Sequence, residues 1–134
     1  MPATRSATQS KRLTILLVDD DSPNLELYRL AFTMHGHRVL TAASGAEALE
    51  IFTEQKPDAV LCDLILGDMV GTEVIERMRR LHGDARFFLL SEAEPVVLAD
   101  AARRSGVIAF PKLGVPVGQV VRAVMASHQF IHAG

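Results

Sequence analysis

Asp58-Ala59-Val60-Leu61-Cys62-Asp63-Leu64-Ile65-Leu66-Gly67-Asp68-Met69-Val70-Gly71 is the stretch around which the rest of the chain falls into order. Residues 59–62 form a compact apolar run, and Pro57 breaks the chain ahead of it. A run without polar alternation reads as a strand buried on both faces. It stops abruptly on a carboxylate, Asp63. A loop follows, and Gly71 opens a charged, helix-like segment. Open α/β sheets bind their ligands outside the carboxyl ends of the strands, so Asp63 stands where a functional side chain belongs.

The segments on either side repeat the strand-then-helix pattern. Upstream, residues 13–18 are nearly unbroken apolar and end on Asp19-Asp20-Asp21. Ser22 is expected to cap a helix with Pro23 at its first position, where no amide partner is lost. Leu25, Tyr28 and Phe32 give that helix an apolar stripe, and Gly36 ends it. Residues 38–42 read as a second strand. Ser44 and Glu47 then form a capping box for a helix that turns Ala48, Leu49 and Phe52 inward.

Downstream, residues 72–81 read as a helix with a solvated face, on which Glu73–Arg77 and Glu76–Arg80 have the favourable four-residue spacing. A fourth strand covers 86–90 and ends on Ser91. A helix over 94–105 ends at Gly106, with a solvated Arg103-Arg104 at its close. A short fifth strand covers 107–110, and a last helix 116–128. In that helix Val117, Val120, Val121, Val124 and Met125 recur at helical spacing, as a core-facing stripe does.

Five strands alternating with five helices imply an α/β fold, a mostly parallel sheet with helices on both faces. The chain has 134 residues, which suits one domain, and 49% of them are hydrophobic against 22% charged, enough for a real core. A net charge of −2 gives no global argument for nucleic acid or a membrane surface. The single cysteine, Cys62, suits a reducing compartment and is expected to be inert packing. No run is long enough to span a bilayer. The histidines are scattered, and turn or surface roles are expected of them rather than zinc. Residues 1–12 read as a flexible N-terminal tail, 13–128 as the folded domain and 129–134 as a C-terminal tail.

Four of the five strand ends carry polar groups: Asp19 and Asp20, Asp63, Ser91, and Lys112 just past the fifth. Converging carboxylates repel one another and call for a counter-charge. A hard divalent cation with oxygen ligands meets that need, and magnesium takes one or two carboxylates plus a phosphate. Lysine matches phosphate as a point charge, a serine hydroxyl can donate to a phosphoryl oxygen, and aspartate can form an acyl phosphate. Together these groups describe a site that accepts a phosphoryl group on Asp63.

Here the chain resembles the receiver domains of two-component response regulators. The resemblance runs from about residue 13 to 128. It is carried by Ile15-Leu16-Leu17-Val18-Asp19-Asp20-Asp21, by Pro57 to Asp63 with Gly71 eight residues on, by Leu89-Leu90-Ser91-Glu92-Ala93, and by Phe110-Pro111-Lys112. It implies a single-domain flavodoxin-like three-layer sandwich with sheet order 2-1-3-4-5.

The resemblance also implies roles. Asp63 is the phosphoacceptor for a sensor histidine kinase or phosphotransfer protein. Asp19, Asp20, Asp63 and the Ile65 backbone carbonyl hold Mg²⁺. Ser91 and Lys112 contact the phosphoryl group, and Phe110 is the aromatic that turns inward when Ser91 moves. Such a switch shifts a two-state population toward a protein-binding face made of the fourth helix, fifth strand and fifth helix.

The implied protein is a cytoplasmic signalling module rather than an enzyme, although it assists its own phosphoryl transfer and dephosphorylation. It is a monomer or weak homodimer, has no direct nucleic-acid or membrane partner, and leaves no room for an output domain. The chain departs from the family pattern at Gly67, usually proline, and at Val70, usually acidic. Pro111 precedes Lys112, where the family has a proline after the lysine, and Phe110 lies one residue closer to Lys112 than usual. Two other readings use the same residues. One is a degenerate receiver that binds partners without phosphorylation. The other is a phosphatase of the haloacid dehalogenase type built on Asp19 and Asp21, which would need another residue where Pro23 stands.

Overall fold

A computed structural model describes the backbone of residues 12–133 and the side chains of residues 12–127. Five strands, β1 (Thr14–Val18), β2 (Arg38–Ala42), β3 (Ala59–Cys62), β4 (Arg86–Ser91) and β5 (Ile108–Pro111), form one parallel sheet ordered β2-β1-β3-β4-β5. Between and after them run α1 (Ser22–Met34), α2 (Gly45–Gln55), α3 (Gly71–Leu81), α4 (Pro95–Ser105) and α5 (Val117–Ala133). The architecture and strand order are those expected.

Strand alternation divides the core in two. Leu16, Val18, Val60, Cys62, Phe87 and Leu89 pack beneath α2, α3 and α4, against Ala48, Phe52, Val74, Ile75, Met78 and Leu98. Ile15, Leu17, Leu61, Phe88 and Leu90 pack beneath α1 and α5, against Tyr28, Phe32, Val120, Val121 and Val124. The valine stripe of α5 is therefore core, with Val117 and Met125 packed at its margin. β3 lies at the centre of the sheet, and all four of its residues are buried. Its start is stapled to β1 by Asp58, whose carboxylate accepts the Thr14 N–H at 2.8 Å.

Several boundaries differ from the sequence expectation. Asp21, not Ser22, is the N-cap of α1, and its side chain makes no capping bond. At α2 the box is shifted: Ser44 Oγ accepts the Glu47 N–H at 3.1 Å, but Glu47 reaches back to Ala43 at 2.8 Å. α5 continues to Ala133, so the tail expected at 129–134 is helical through that residue. Residues 1–11 of the expected N-terminal tail lie outside the described residues. β5 extends to Pro111, which pairs with Ser91. Proline has no amide for a second neighbour, and β5 is an edge strand, so none is needed.

His37 corrects the expectation of surface histidines. It is buried, and its Nδ1 accepts the Leu13 N–H at 3.0 Å. His82 stacks on Phe52 with ring centroids 4.2 Å apart. Among the described residues no helix is long and apolar enough to cross a membrane.

Candidate functional site

Parallel strands deliver their carboxyl ends to one edge of the sheet, so the chemistry accumulates there. Asp19 follows β1, with its N–H bonded to Ala42 O at 3.0 Å. Asp63 follows β3, with its N–H bonded to Val18 O at 2.8 Å. Both are buried, whereas Asp20 is exposed. One oxygen from each of the three carboxylates lies within 4.8 Å of the others.

Lys112 completes the cluster. Its Nζ lies 2.8 Å from Asp19 Oδ2 and 2.9 Å from Asp63 Oδ2, with the side chain almost fully enclosed. The proline before Lys112 and the short spacing to Phe110 do not misdirect it. The Lys112 N–H bonds to Ser91 O at 3.0 Å and continues the β4–β5 ladder one step past the strand.

The electrostatics follow from burial and proximity. Burial raises the Asp63 pKa, and the charge of Asp19 adds to that. The hydrogen bonds from Lys112 and the Ile65 amide oppose the shift without cancelling it. Burial also disfavours the Lys112 charge, but bonds to Asp19 and Asp63 outweigh it and hold its pKa above the ordinary value. Three carboxylates facing one ammonium leave a formal excess of two negative charges. An all-oxygen donor set with that excess fits a hard divalent cation such as Mg²⁺.

Supporting contacts lock the first of these groups. Asn24 donates to Asp19 Oδ2 at 2.7 Å, and the Asp21 N–H donates to Asp19 Oδ1 at 3.0 Å. Asp21 thus contributes its backbone and remains outside the carboxylate cluster. Asn24 was not singled out from sequence. Its signal is its position on the first turn of α1, five residues after Asp19, facing back to the strand end.

Ser91 is buried at the end of β4, and its Oγ accepts the Ala93 N–H at 3.1 Å. The Ile65 N–H donates to Asp63 Oδ1 at 3.1 Å, so the expected ligand residue is tethered to the expected nucleophile. Burial, reinforced by the Asp63 and Asp19 charges, pushes the Cys62 thiol well above its ordinary range. Its Sγ lies 3.2 Å from Asp63 O, an inert position.

Phe110, the expected switch aromatic, lies on the face of the sheet opposite Ser91. It pairs with Leu90 and stacks on Phe88 at 6.0 Å between centroids, on the α1/α5 side of the sheet. Ser91 shares the alternation of Phe87 and Leu89, on the opposite side. The β5 residue on that side is Ala109, packed against the cluster that contains Leu98 of α4. Strand side chains alternate with period two, so an aromatic two residues before Lys112 and one three residues before it face opposite sides of the sheet.

The loop after Asp63 is a short hairpin, closed by the Ile65–Val70 bridge and by the Leu66 N–H to Met69 O at 3.2 Å. Its outer residue, Asp68, reaches the N-terminus of α2. Its Oδ1 accepts the Gly45 N–H at 2.8 Å and its Oδ2 the Ala46 N–H at 3.0 Å. Those two amides hold the Asp68 carboxyl below its usual pKa. Nothing local in the sequence marks this residue, since its partners lie more than twenty positions upstream. Gly71 closes the loop. Its N–H bonds to Leu64 O at 2.6 Å, and a Cβ there would stand 2.1 Å from Asp63 O.

Comparison with known proteins places the chain in a family of the same fold. Residues 15–110 match the family described as the response regulator receiver domain. The chain is 42% identical to the transcriptional regulatory protein AfsQ1 of Streptomyces coelicolor over half of its own length and 30% of that protein's. It is 34% identical to the transcriptional regulatory protein GlrR of Escherichia coli over 72% of its length and 22% of that protein's. It is also 34% identical to sporulation initiation phosphotransferase F of Bacillus subtilis, over 58% of its length and 62% of that protein's. The chain thus spans less than a third of the two transcriptional regulators. Among solved structures, a CheY-like receiver domain protein of Methanospirillum hungatei superposes with a TM-score of 0.82. It is 22% identical, and the match covers 92% of this chain and 100% of that one.

Proposed function

The chain belongs to the response regulator receiver domain family, and on that premise we propose that it is a two-component signalling receiver phosphorylated on Asp63. The donor is a phosphohistidine on a sensor kinase or phosphotransfer protein. An Asp63 carboxylate oxygen attacks phosphorus as the P–N bond breaks, and the product is an acyl phosphate. The observation that carries this reading is the Lys112 ammonium, 2.9 Å from Asp63 Oδ2 and 2.8 Å from Asp19 Oδ2 beside the acidic trio.

Each residue has a role in that transfer. Burial of Asp63 strips water from the nucleophile, and the Ile65 amide fixes one of its oxygens. Lys112 supplies a positive charge to the equatorial oxygens of the group in flight. Ser91 releases the Ala93 amide and offers its hydroxyl to a phosphoryl oxygen. Asp19 and Asp20, with Asp63 and the Ile65 carbonyl, would hold Mg²⁺, which when bound would further neutralise phosphoryl charge. Asn24 and the Asp21 amide keep Asp19 aimed.

The folded receiver begins at residue 13, and its output is protein contact across α4, β5 and α5. Val96, Val97, Ile108 and Leu113 leave apolar surface exposed on that side. The protein acts in the cytoplasm as a monomer or weak homodimer.

The test is incubation with Mg²⁺ and a small phosphodonor, or with beryllofluoride, followed by intact-mass and spectral measurement. We expect one phosphoryl adduct on the wild type, dependent on Mg²⁺, and none on Asp63→Asn. No change at donor levels that modify other receivers overturns the reading.

A further inference from the structure

We propose that Asp68 is a positioning residue for the phosphorylation site, clasping the N-terminus of α2 and so fixing the hairpin that carries Ile65 beside Asp63. The inference rests on the phosphoacceptor reading and adds to it a residue that neither touches Asp63 nor belongs to the acidic trio.

Apart from Asp68, the polar ties of the hairpin are few. Gly67 at its tip is exposed and puts no proline in the turn. Val70, the N-cap of α3, offers no side-chain hydrogen bond. Ile65 and Val70 are 57% and 47% exposed, so the apolar anchorage of the hairpin falls to Leu66, buried in the core, and to Met69, packed against it. Within the hairpin the ties are the Ile65–Val70 bridge and the Leu66 amide bond.

Against this, Asp68 makes two charge-assisted bonds to Gly45 and Ala46, one from each carboxylate oxygen. With Ser44 Oγ on the Glu47 amide, the first three N–H groups of α2 are all satisfied. A negative charge at that end also opposes the positive pole of the helix.

A second contact, independent of Asp68, brings the same two segments together. Met69 lies against Gly45 so closely that a Cβ there would stand 2.7 Å from Met69 Cγ and 2.9 Å from its Sδ. Gly45 therefore leaves room for the hairpin to seat on α2, and Asp68 latches it. The force path is short: α2 holds Asp68, the hairpin carries Ile65, and the Ile65 amide holds Asp63 Oδ1. In this chain the clasp does the work that a stiffer turn and a capped α3 would otherwise do.

Asp68→Ala, Asp68→Asn and Ser44→Ala separate positioning from simple capping, because Ser44→Ala weakens the same helix end without touching the hairpin. The readouts are amide hydrogen exchange of the metal-free protein and the Mg²⁺ dissociation constant by calorimetry. We expect Asp68→Ala to speed exchange at Ile65 and Leu66 by about tenfold, as loss of hydrogen bonds to a charged group does. Its Mg²⁺ affinity should fall about tenfold, the scale of outer-shell changes at metal sites. Asp68→Asn, which keeps one acceptor oxygen, should fall between. Ser44→Ala should lower the melting temperature and leave both readouts near wild type.

Equal shifts in Asp68→Ala and Ser44→Ala, or unchanged Ile65 exchange in Asp68→Ala, overturn the clasp. A wild type that binds no Mg²⁺ overturns the phosphoacceptor reading instead, and the exchange measurement still decides whether the hairpin is latched.

Discussion

Asp63 and Lys112 set the residue-scale argument. Burial raises the Asp63 pKa, so its charged form is disfavoured in the folded state. That cost is complete above the folded pKa and vanishes below the unfolded value of about 3.9. Asp63→Asn should therefore melt a few degrees higher than the wild type at pH 7 without divalent cation. The advantage should shrink as the pH falls into the acid range, and melts across pH check it. Lys112 has the opposite sign. Its raised pKa contributes stability that is complete below about pH 10.4 and is lost as the pH rises through the folded value. Lys112→Met leaves Asp19 and Asp63 facing each other unneutralised, so it should melt lower at pH 7. Mg²⁺ should restore part of the loss, which thermal melts with and without the metal would read.

At the scale of elements, each strand end presents its side chain because the element after it is fixed to the sheet. α3 is the clearest case. Gly71 brings the start of the helix against the Asp63 carbonyl, at a separation no side chain allows. Gly71→Ala must push either α3 or the Asp63 backbone away, an overpacking cost of about 1–3 kcal/mol or more. We expect a lower urea midpoint and slower phosphorylation from a small donor, since the displaced backbone carries Asp63, the proposed nucleophile. An unchanged midpoint would mean that the close approach is relieved without cost. β5 makes the complementary point. Its proline is harmless because the strand is at an edge, and the ladder resumes at the Lys112 amide to deliver the ammonium.

Across the whole molecule, the sheet separates two cores, and the active edge touches both. Phe110 belongs to the α1/α5 side with Phe88, Val120 and Val121, while Ser91 and Ala109 face α4. Rotation of Phe110 is therefore a poor relay from Ser91 to α4. Phe110→Ala should cost about 2 kcal/mol of stability, less than a fully buried ring because Phe110 is half-buried. It should leave the beryllofluoride-dependent spectral change at Val96 and Val97 intact, as NMR with and without the mimic would record. Disappearance of that change on a folded variant would restore the ring to the relay. The surface that responds is expected around α4 and β5, where Val96, Ile108 and Leu113 are exposed.

The sequence by itself determined the alternation of strands and helices, the central buried strand, the valine stripe of α5 and the strand-end positions of Asp19, Asp20, Asp63, Ser91 and Lys112. These are local properties: period, punctuation by proline and glycine, and polarity at the end of an apolar run. The tertiary structure decided what depends on distant partners. Pro111 reads as an obstacle until β5 is seen to be an edge. The face of Phe110 depends on pairing register, and a shift of one residue reverses it. Asp68 reads as one more loop acid because the amides it holds lie more than twenty residues upstream. His37 reads as a turn residue, yet it is buried against the Leu13 amide, 24 positions away. Sequence pattern reports which face a residue turns to its own element's neighbours. It carries no record of which backbone groups a fold brings to a side chain from elsewhere, and those contacts hold this site in shape.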